Sequence, residues 1–192
     1  AILRHYGRIQ APTTACLHIG APSVDVYSDG IYVARYASVE ITATTLEAKE
    51  CWAWVDVIPT GPSLPLHWVG TPYTSEETTT ARIMIRPEKP ARLDVAVSIP
   101  PTNRASADLY RDALPCGDVA IFLPGGHPWN GEGCWLAQPL ALDNPDLRLE
   151  AYLVPGDYKL RIQVGCDNGE GDSKEFILHS TSSWENLAII NV

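Results

Sequence analysis

The chain has 192 residues, of which 45% are hydrophobic and 19% are charged, so it can fill a core and is not expected to be disordered. Its formal net charge is −9 and it has no basic run, which argues against nucleic acid and against an anionic membrane surface as partners. No apolar stretch is long enough to cross a bilayer, so we expect no direct membrane insertion.

Alternation of apolar and polar residues with a period of two predicts strands along the first half of the chain. Residues 23–28 and 31–36 form the first predicted hairpin, joined by Asp29-Gly30, a dipeptide that favours a type I′ turn. Residues 39–45 alternate and are rich in β-branched side chains. Residues 50–58 carry bulky side chains on both faces, which predicts an inner strand covered on both sides.

A loop is predicted from Pro59 to Pro72, followed by two alternating strands at 80–86 and 91–99. A Pro-containing turn joins these two strands. The best internal boundary lies near residues 99–107. From there to Pro155 the periodicity is poor and Gly, Pro and Asn are frequent, which predicts a long loop-rich middle region.

The C-terminal part carries the clearest strand pattern. Residues 158–166 alternate strictly and are expected to pair as a hairpin with 175–179, and residues 184–192 form the last predicted strand. Together the segments amount to about nine strands, with no convincing amphipathic helix. We therefore expect an all-β fold in which residues 1–192 form one antiparallel β-sandwich domain, Ig-like or jelly-roll-like.

Neither a metal nor a cofactor is expected. The five cysteines are too widely spaced for a zinc knuckle. Cys51 and Cys166 lie in predicted strands, where a cysteine acts as a small buried hydrophobe. Cys116 and Cys134 flank a loop, and the spacing leaves open whether they form a disulfide. Residues 167–172 hold four oxygen-bearing side chains that suit Ca²⁺, but the EF-hand order is absent and a hairpin turn is the favoured interpretation.

No catalytic residues are predicted. The chain lacks a G-x-S-x-G motif, and its five histidines are scattered without a close pair. Asp94 and Glu40 lie on the polar faces of their strands, where paired carboxylates for glycoside cleavage are conceivable. We expect both of these carboxylates to be solvated outer-face residues instead.

The candidate binding residues are aromatic side chains in or beside loops. Flat aromatic rings at such positions stack on sugars or bury into a protein partner. They also cap the open ends of a sandwich core, and the sequence leaves these interpretations open. The four residues are Trp68, Tyr73, Trp129 and Trp135.

Several motifs occur in a fixed order along the chain: Glu50-Cys51-x-Ala53, Leu64-Pro-Leu-His-Trp68, Arg92-Leu-Asp-Val95, Cys134-Trp-Leu-Ala-x-Pro-Leu-Ala-Leu142, and Pro155-Gly-x-Tyr-x-Leu160 with Val164-x-Cys-x-Asn-Gly-x-Gly-Asp-Ser-Lys174. Together they resemble an Ig-like β-sandwich domain of uncharacterised prokaryotic proteins, some of which carry a membrane anchor elsewhere. The resemblance spans residues 33–187. It implies a sandwich fold and a cell-envelope setting, and it transfers no catalytic residue.

These observations favour a non-enzymatic protein that works through protein–protein contacts, as a structural subunit of a cell-surface or extracellular assembly. Self-association through the terminal strands, residues 1–10 and the strand after Trp184, is the expected mode, because exposed strands pair with neighbouring sheet edges. A carbohydrate-binding module that uses the loop aromatics is the alternative, with a glycan as its partner. A hydrolase ranks last.

Overall fold

A computed structural model describes residues 14–28, 33–71, 82–98, 100, 122–123, 127–128, 132–137 and 151–192. A short 3₁₀ helix covers Trp184–Asn186. The described strands are β1 (Ala15–Ser28), β2 (Val33–Thr44), β3 (Ala48–Ile58), β4 (Ser63–Pro65), β5 (His67–Trp68), β6 (Ile83–Ile85), β7 (Ala91–Ser98), β8 (Phe122–Leu123), β9 (His127–Pro128), β10 (Cys134–Leu136), β11 (Tyr152–Leu153), β12 (Gly156–Gly165), β13 (Gly169–Glu170), β14 (Asp172–Ser180) and β15 (Ala188–Asn191).

The strands form two main sheets, which confirms the predicted all-β, sandwich-like class. One sheet has the order β11-β10-β7-β2-β1-β13, with β5 also paired to β7. The other has the order β15-β14-β12-β3-β4, with β6 also paired to β3. Neighbouring strands run antiparallel except for β1 and β13, and β8 and β9 form a separate two-stranded pair.

The core lies between the two main sheets and is filled by alternate residues of the long strands. The seven-stranded sheet contributes side chains such as Ile41 and Leu93, and the six-stranded sheet contributes Val55, Leu160 and Phe176. Because successive side chains of a strand point to opposite faces, each strand leaves a second set of residues on its outer face.

Two β-bulges change which residues face the core. In β1, Ile19 pairs with Ile41 but Pro22 pairs with Val39, so β1 carries one extra residue and its inward set shifts by one position. In β7, Asp94 pairs with Ser38 and Ala96 pairs with Ala37, which makes Val95 the extra residue. The unbroken alternation predicted for 91–99 is therefore interrupted in the folded strand.

Several predicted boundaries change in the structure. Strand β1 begins at Ala15 rather than at residue 23, because Ala15, Leu17 and Ile19 already alternate as buried residues. The predicted loop after Pro59 contains β4 and β5, since Leu64, Leu66 and Trp68 repeat with period two and are all buried. The segment 64–68 therefore contributes side chains to the core as well as connecting two longer strands.

Other predictions are confirmed or lie beyond the described residues. Strands β12 and β14 form the predicted C-terminal hairpin, with Leu160 opposite Phe176. The turn at 87–90 is closed by a hydrogen bond from the Lys89 amide to the Arg86 carbonyl at 3.0 Å. The Asp29-Gly30 turn, most of the 99–107 boundary and most of the middle region lie outside the described residues. In the part of the chain that is described, no helix has the length and apolar character to cross a membrane.

Candidate functional site

Of the four aromatic residues predicted to bind a ligand, the structure describes two, Trp68 and Trp135, which lie on different strands. Trp68 is 0% exposed and packs in the core beside Leu93, its partner on β7. Its ring therefore fills the sandwich and is not accessible to a ligand. Tyr73 and Trp129 lie outside the described residues.

Trp135 is half-buried on β10, the second strand from the edge of the seven-stranded sheet. It pairs with Val97 on one side and with Tyr152 on the other. The rings of Trp135 and Tyr152 are tilted against each other, with centroids 5.4 Å apart. This aromatic pair stabilises the junction of β10 and β11.

The best candidate surface is the outer face of the six-stranded sheet, which we call the Trp face. Its residues alternate with the core residues of β3, β12, β14 and β15. They include Trp52, Trp54, Asp56 and Ile58 on β3, Lys159, Arg161, Gln163 and Gly165 on β12, Ser173, Glu175, Ile177 and His179 on β14, and Ile190 on β15.

Strand β3 carries the two tryptophans on this face. Cys51, Ala53 and Val55 are fully buried, whereas Trp52 and Trp54 between them are half-buried. Residues 50–58 thus form an inner strand as predicted, but the prediction that both faces are covered is wrong. The sequence contained this information, because small or aliphatic residues (Cys51, Ala53 and Val55) alternate with the tryptophans along the strand. Such a strand has one face suited to a core and one aromatic face.

Trp52 lies against the backbone of Gly165, its cross-strand partner on β12. A Cβ at Gly165 would overlap the indole ring of Trp52. The indole therefore covers the glycine, as aromatic residues often do in sheets. This contact holds the ring of Trp52 down on the sheet.

Polar side chains beside Trp54 are fixed by short hydrogen bonds. The Gln163 amide Nε2 donates to Asp56 Oδ2 at 2.6 Å, and Ser63 Oγ donates to Asp56 Oδ1 at 2.6 Å. Gln163 also stands directly opposite Trp54 in the β3–β12 register. One tryptophan of the Trp face therefore has an ordered amide–carboxylate pair at its side.

The centre of the Trp face is an ion-pair network. Glu175 accepts from Arg161 at 2.9 Å and pairs with Lys159 at 2.6 Å. Hydrogen bonds from Lys159 and then from Arg161 lower the pKa of Glu175 below its ordinary value. These charges are held in place in the exposed middle of the sheet, between the aromatic and aliphatic ends of the face.

The far end of the Trp face is aliphatic. The register aligns Ile58, Lys159, Ile177 and Ile190 in one row across four strands. Ile190 is 48% exposed, on the edge strand β15. His179 Nδ1 and Asp157 Oδ1 are 2.7 Å apart in the neighbouring row.

A second polar cluster lies on the outer face of the seven-stranded sheet. Ser38, Asp94 and His67 occupy adjacent strands in one row, and all three are buried. The expectation that Asp94 is solvated is wrong, because only 8% of it is exposed, whereas Glu40 is exposed as predicted.

The geometry of His67 favours a structural role for this cluster. His67 Nδ1 is 4.0 Å from Asp94 Oδ2, and Nε2 is 3.0 Å from the Thr71 carbonyl. The Thr71 hydroxyl donates to the Trp68 carbonyl at 2.7 Å, so the side chain and the carbonyl of Thr71 both make contacts within this turn. The cluster ties the turn after β5 to the sheet.

The acidic turn at 167–172 makes contacts within the protein. Asn168 Oδ1 accepts from the Lys49 amide at 2.7 Å, and Asn168 Nδ2 donates to the Glu47 carbonyl at 2.8 Å. Asp167 pairs with Arg82 at 3.1 Å, and Asp172 Oδ2 accepts from the Ile19 amide at 2.7 Å. Among the residues that the structure describes, no three His, Cys, Asp or Glu side chains are placed to hold a metal ion.

Comparison of the chain with protein-family models, with curated proteins and with solved structures finds no match in any of the three.

Proposed function

We propose that this chain is a non-enzymatic β-sandwich protein that acts through protein–protein contacts, as a structural subunit of a cell-surface or extracellular assembly. The Ig-like resemblance and the envelope setting that it implies are part of this proposal. The contact surface is the Trp face. The observation that carries the proposal is that Trp52 and Trp54 project from a central strand onto the outer face instead of into the core.

The composition of the Trp face supports this role. Tryptophan and arginine are the residue types most enriched among interface residues whose loss weakens binding. Trp54 and Arg161 lie in adjacent rows of the face. Gln163 is directly opposite Trp54 and is the outward-facing residue next to Arg161 on β12. The aliphatic row that ends at Ile190 adds further apolar area at the other end of the same surface.

We propose a second copy of this chain as the partner. The face carries both charge signs, because Lys159 and Arg161 on β12 lie between Asp56 on β3 and Glu175 on β14. Two copies related by a two-fold axis can therefore be mutually complementary. The face also continues to β15, the edge strand of the six-stranded sheet, and this strand belongs to the terminal segment expected to self-associate.

Sedimentation velocity over a wide range of protein concentration tests the proposal. We expect reversible dimers, and we expect Trp54→Ala to raise their dissociation constant roughly tenfold or more. The matched control is Trp184→Ala, which removes a half-buried indole from the 3₁₀ turn outside the face. A wild-type chain that stays monomeric at every concentration contradicts the proposal.

Salt distinguishes the forces within such a dimer. Each copy carries a formal charge of −9, so two copies repel each other at long range. Raising the ionic strength from about 0.15 M to about 1 M screens this repulsion and leaves aromatic burial intact. Salt also weakens ion pairs between the two copies, whereas burial of tryptophan persists, so we expect the effect of Trp54→Ala on dimerisation to remain at about 1 M salt.

Carbohydrate binding is the second candidate, and one observation favours it. The indole of Trp52 is laid against Gly165, and the ordered pair of Gln163 and Asp56 lies in the adjoining rows. A flat ring with amide and carboxylate groups near it suits a sugar that stacks and hydrogen-bonds at the same time. A glycan array tests this function. Binding that is lost in Trp52→Ala supports it, and an array without signal removes it.

A further inference from the structure

Cys51 and Cys166 are neighbours across the two central strands of the six-stranded sheet. The β3–β12 register pairs Val164 with Ala53 and Gly165 with Trp52, so the next position sets Cys166 opposite Cys51. The two strands stay in contact just past this point, but their register shifts by one residue at Glu50, whose φ is +52°, because the Asp167 amide donates to the Lys49 carbonyl at 3.0 Å.

Both thiols lie on the core side of the sheet. Cys51 is fully buried in the core, and Cys166 packs against the same core from the end of β12. Their burial has a visible effect on Cys51: burial first, and then the nearby Cys166 thiol, raise its pKa to about 12. The pKa of the Cys166 thiol is raised as well, first by burial and further by Asp167 and the Cys16 thiol, so Cys16 is the competing disulfide partner of Cys166.

The backbone hydrogen bonds show what kind of cross-strand pair the two cysteines form. The Ala53 carbonyl accepts from the Leu66 amide at 3.0 Å, on the side of β3 that faces away from β12. Residues of β3 two positions apart share this orientation, so Cys51 and Cys166 form a non-hydrogen-bonded pair. Such pairs place their Cα atoms about 4.5 Å apart, which lies within the range that a disulfide spans.

We infer that Cys51 and Cys166 form a cross-strand disulfide when the chain folds under oxidising conditions. The bond would tie β3 to β12 next to the contact of Trp52 with Gly165. It would thereby covalently fix the register of the two strands that carry the Trp face. This inference does not depend on which partner the Trp face binds.

The reaction with glutathione disulfide is balanced. The Cys166 thiolate, which is the more accessible of the two, attacks one sulfur and releases one glutathione thiolate. The Cys51 thiolate then attacks the Cys166 sulfur and releases the second glutathione. The two cysteines lose two protons and two electrons, and the glutathione disulfide becomes two glutathione thiols. Because Cys51 is buried, this second step is fastest during folding.

The test is to refold the reduced, denatured chain in a glutathione redox buffer and to count thiols afterwards in denaturant. We expect the count to fall from five to three. Peptide mapping is expected to join the peptides of Cys51 and Cys166, and the melting temperature to rise by roughly 5–15 °C over that of the reduced protein.

Three variants make the assignment specific. Cys16→Ala is the control and should still show the rise in melting temperature on oxidation, whereas Cys51→Ala and Cys166→Ala should lose it under the same conditions, even where glutathione caps the remaining thiol. A wild-type chain that keeps five thiols overturns the inference, and so does a map that joins Cys166 to Cys16. Since both of these readouts use the wild-type chain, the test holds even if a core variant folds poorly.

Discussion

The indole of Trp52 rests on the bare backbone of Gly165, and the two residues face each other across β3 and β12. The glycine is needed at this position because any Cβ would overlap the ring. The backbone of β12 therefore fixes the position of Trp52, one of the two tryptophans on the proposed contact surface.

Gly165→Ala is expected to displace Trp52 from the sheet. Overpacking of this kind costs about 1–3 kcal/mol of unfolding free energy, and the released indole becomes more exposed. Urea unfolding and the wavelength of tryptophan emission measure the two effects, and a red shift is expected. The matched control is Gly156→Ala on the same strand, where a Cβ meets only ordinary van der Waals contacts. Equal effects of the two substitutions would argue against the Trp52 contact.

Trp68→Ala is expected to cost about 3–5 kcal/mol, because it removes a large side chain from the centre of the core. Trp68→Phe should cost much less. It keeps most of the ring and removes an indole N–H that has no hydrogen-bond acceptor among the described residues. Denaturant unfolding of both variants checks the difference. Wild-type stability in Trp68→Ala would contradict the buried position of this residue.

The ion-pair network on the Trp face is expected to make stability depend on acid pH. The pKa of Glu175 is lower in the folded chain than its ordinary value of 4.5, so its stabilising contribution is present above that value. The contribution is lost as the pH falls through the lowered folded pKa.

Glu175→Gln should therefore destabilise the protein at neutral pH and flatten its thermal stability profile in this acid range. Salt should weaken the wild-type advantage, because these charges are exposed. Glu185→Gln, on the exposed 3₁₀ turn, is the control. A pH profile that is the same in Glu175→Gln and wild type would show that the network contributes nothing.

The cysteines of the reduced native chain are expected to differ in reactivity. Burial raises the pKa of both Cys51 and Cys134 to about 12, so both remain protonated at pH 8. Cys16 and Cys166 are only half-buried and should react with a thiol reagent before Cys51 and Cys134 do.

Mass spectrometry after brief alkylation, with and without denaturant, measures this order. The same shifts predict that stability falls as the pH rises above 9.0, the ordinary value for a thiol, because unfolding lets the buried thiols ionise. Rapid labelling of Cys134 in the native protein would contradict its burial. Cys134 is a free thiol in the structure, and its suggested disulfide partner Cys116 lies outside the described residues.

The sequence alone was sufficient to predict the all-β class, the C-terminal hairpin and the turn at 87–90. Each of these follows from local information, since alternation and turn residues act within a few positions of one another. The alternation along β3 also predicted that Trp52 and Trp54 lie on the opposite face from Cys51 and Ala53. It did not show which of the two sets would face solvent.

Only the tertiary structure decided which faces are covered and which residues meet. The burial of Asp94 and Trp68, the bulges in β1 and β7, and the pairing of Trp52 with Gly165 all depend on strand register and on the layer packed above each sheet. Register is a property of two strands far apart in the chain. A pattern within one strand therefore predicts two faces but not their neighbours.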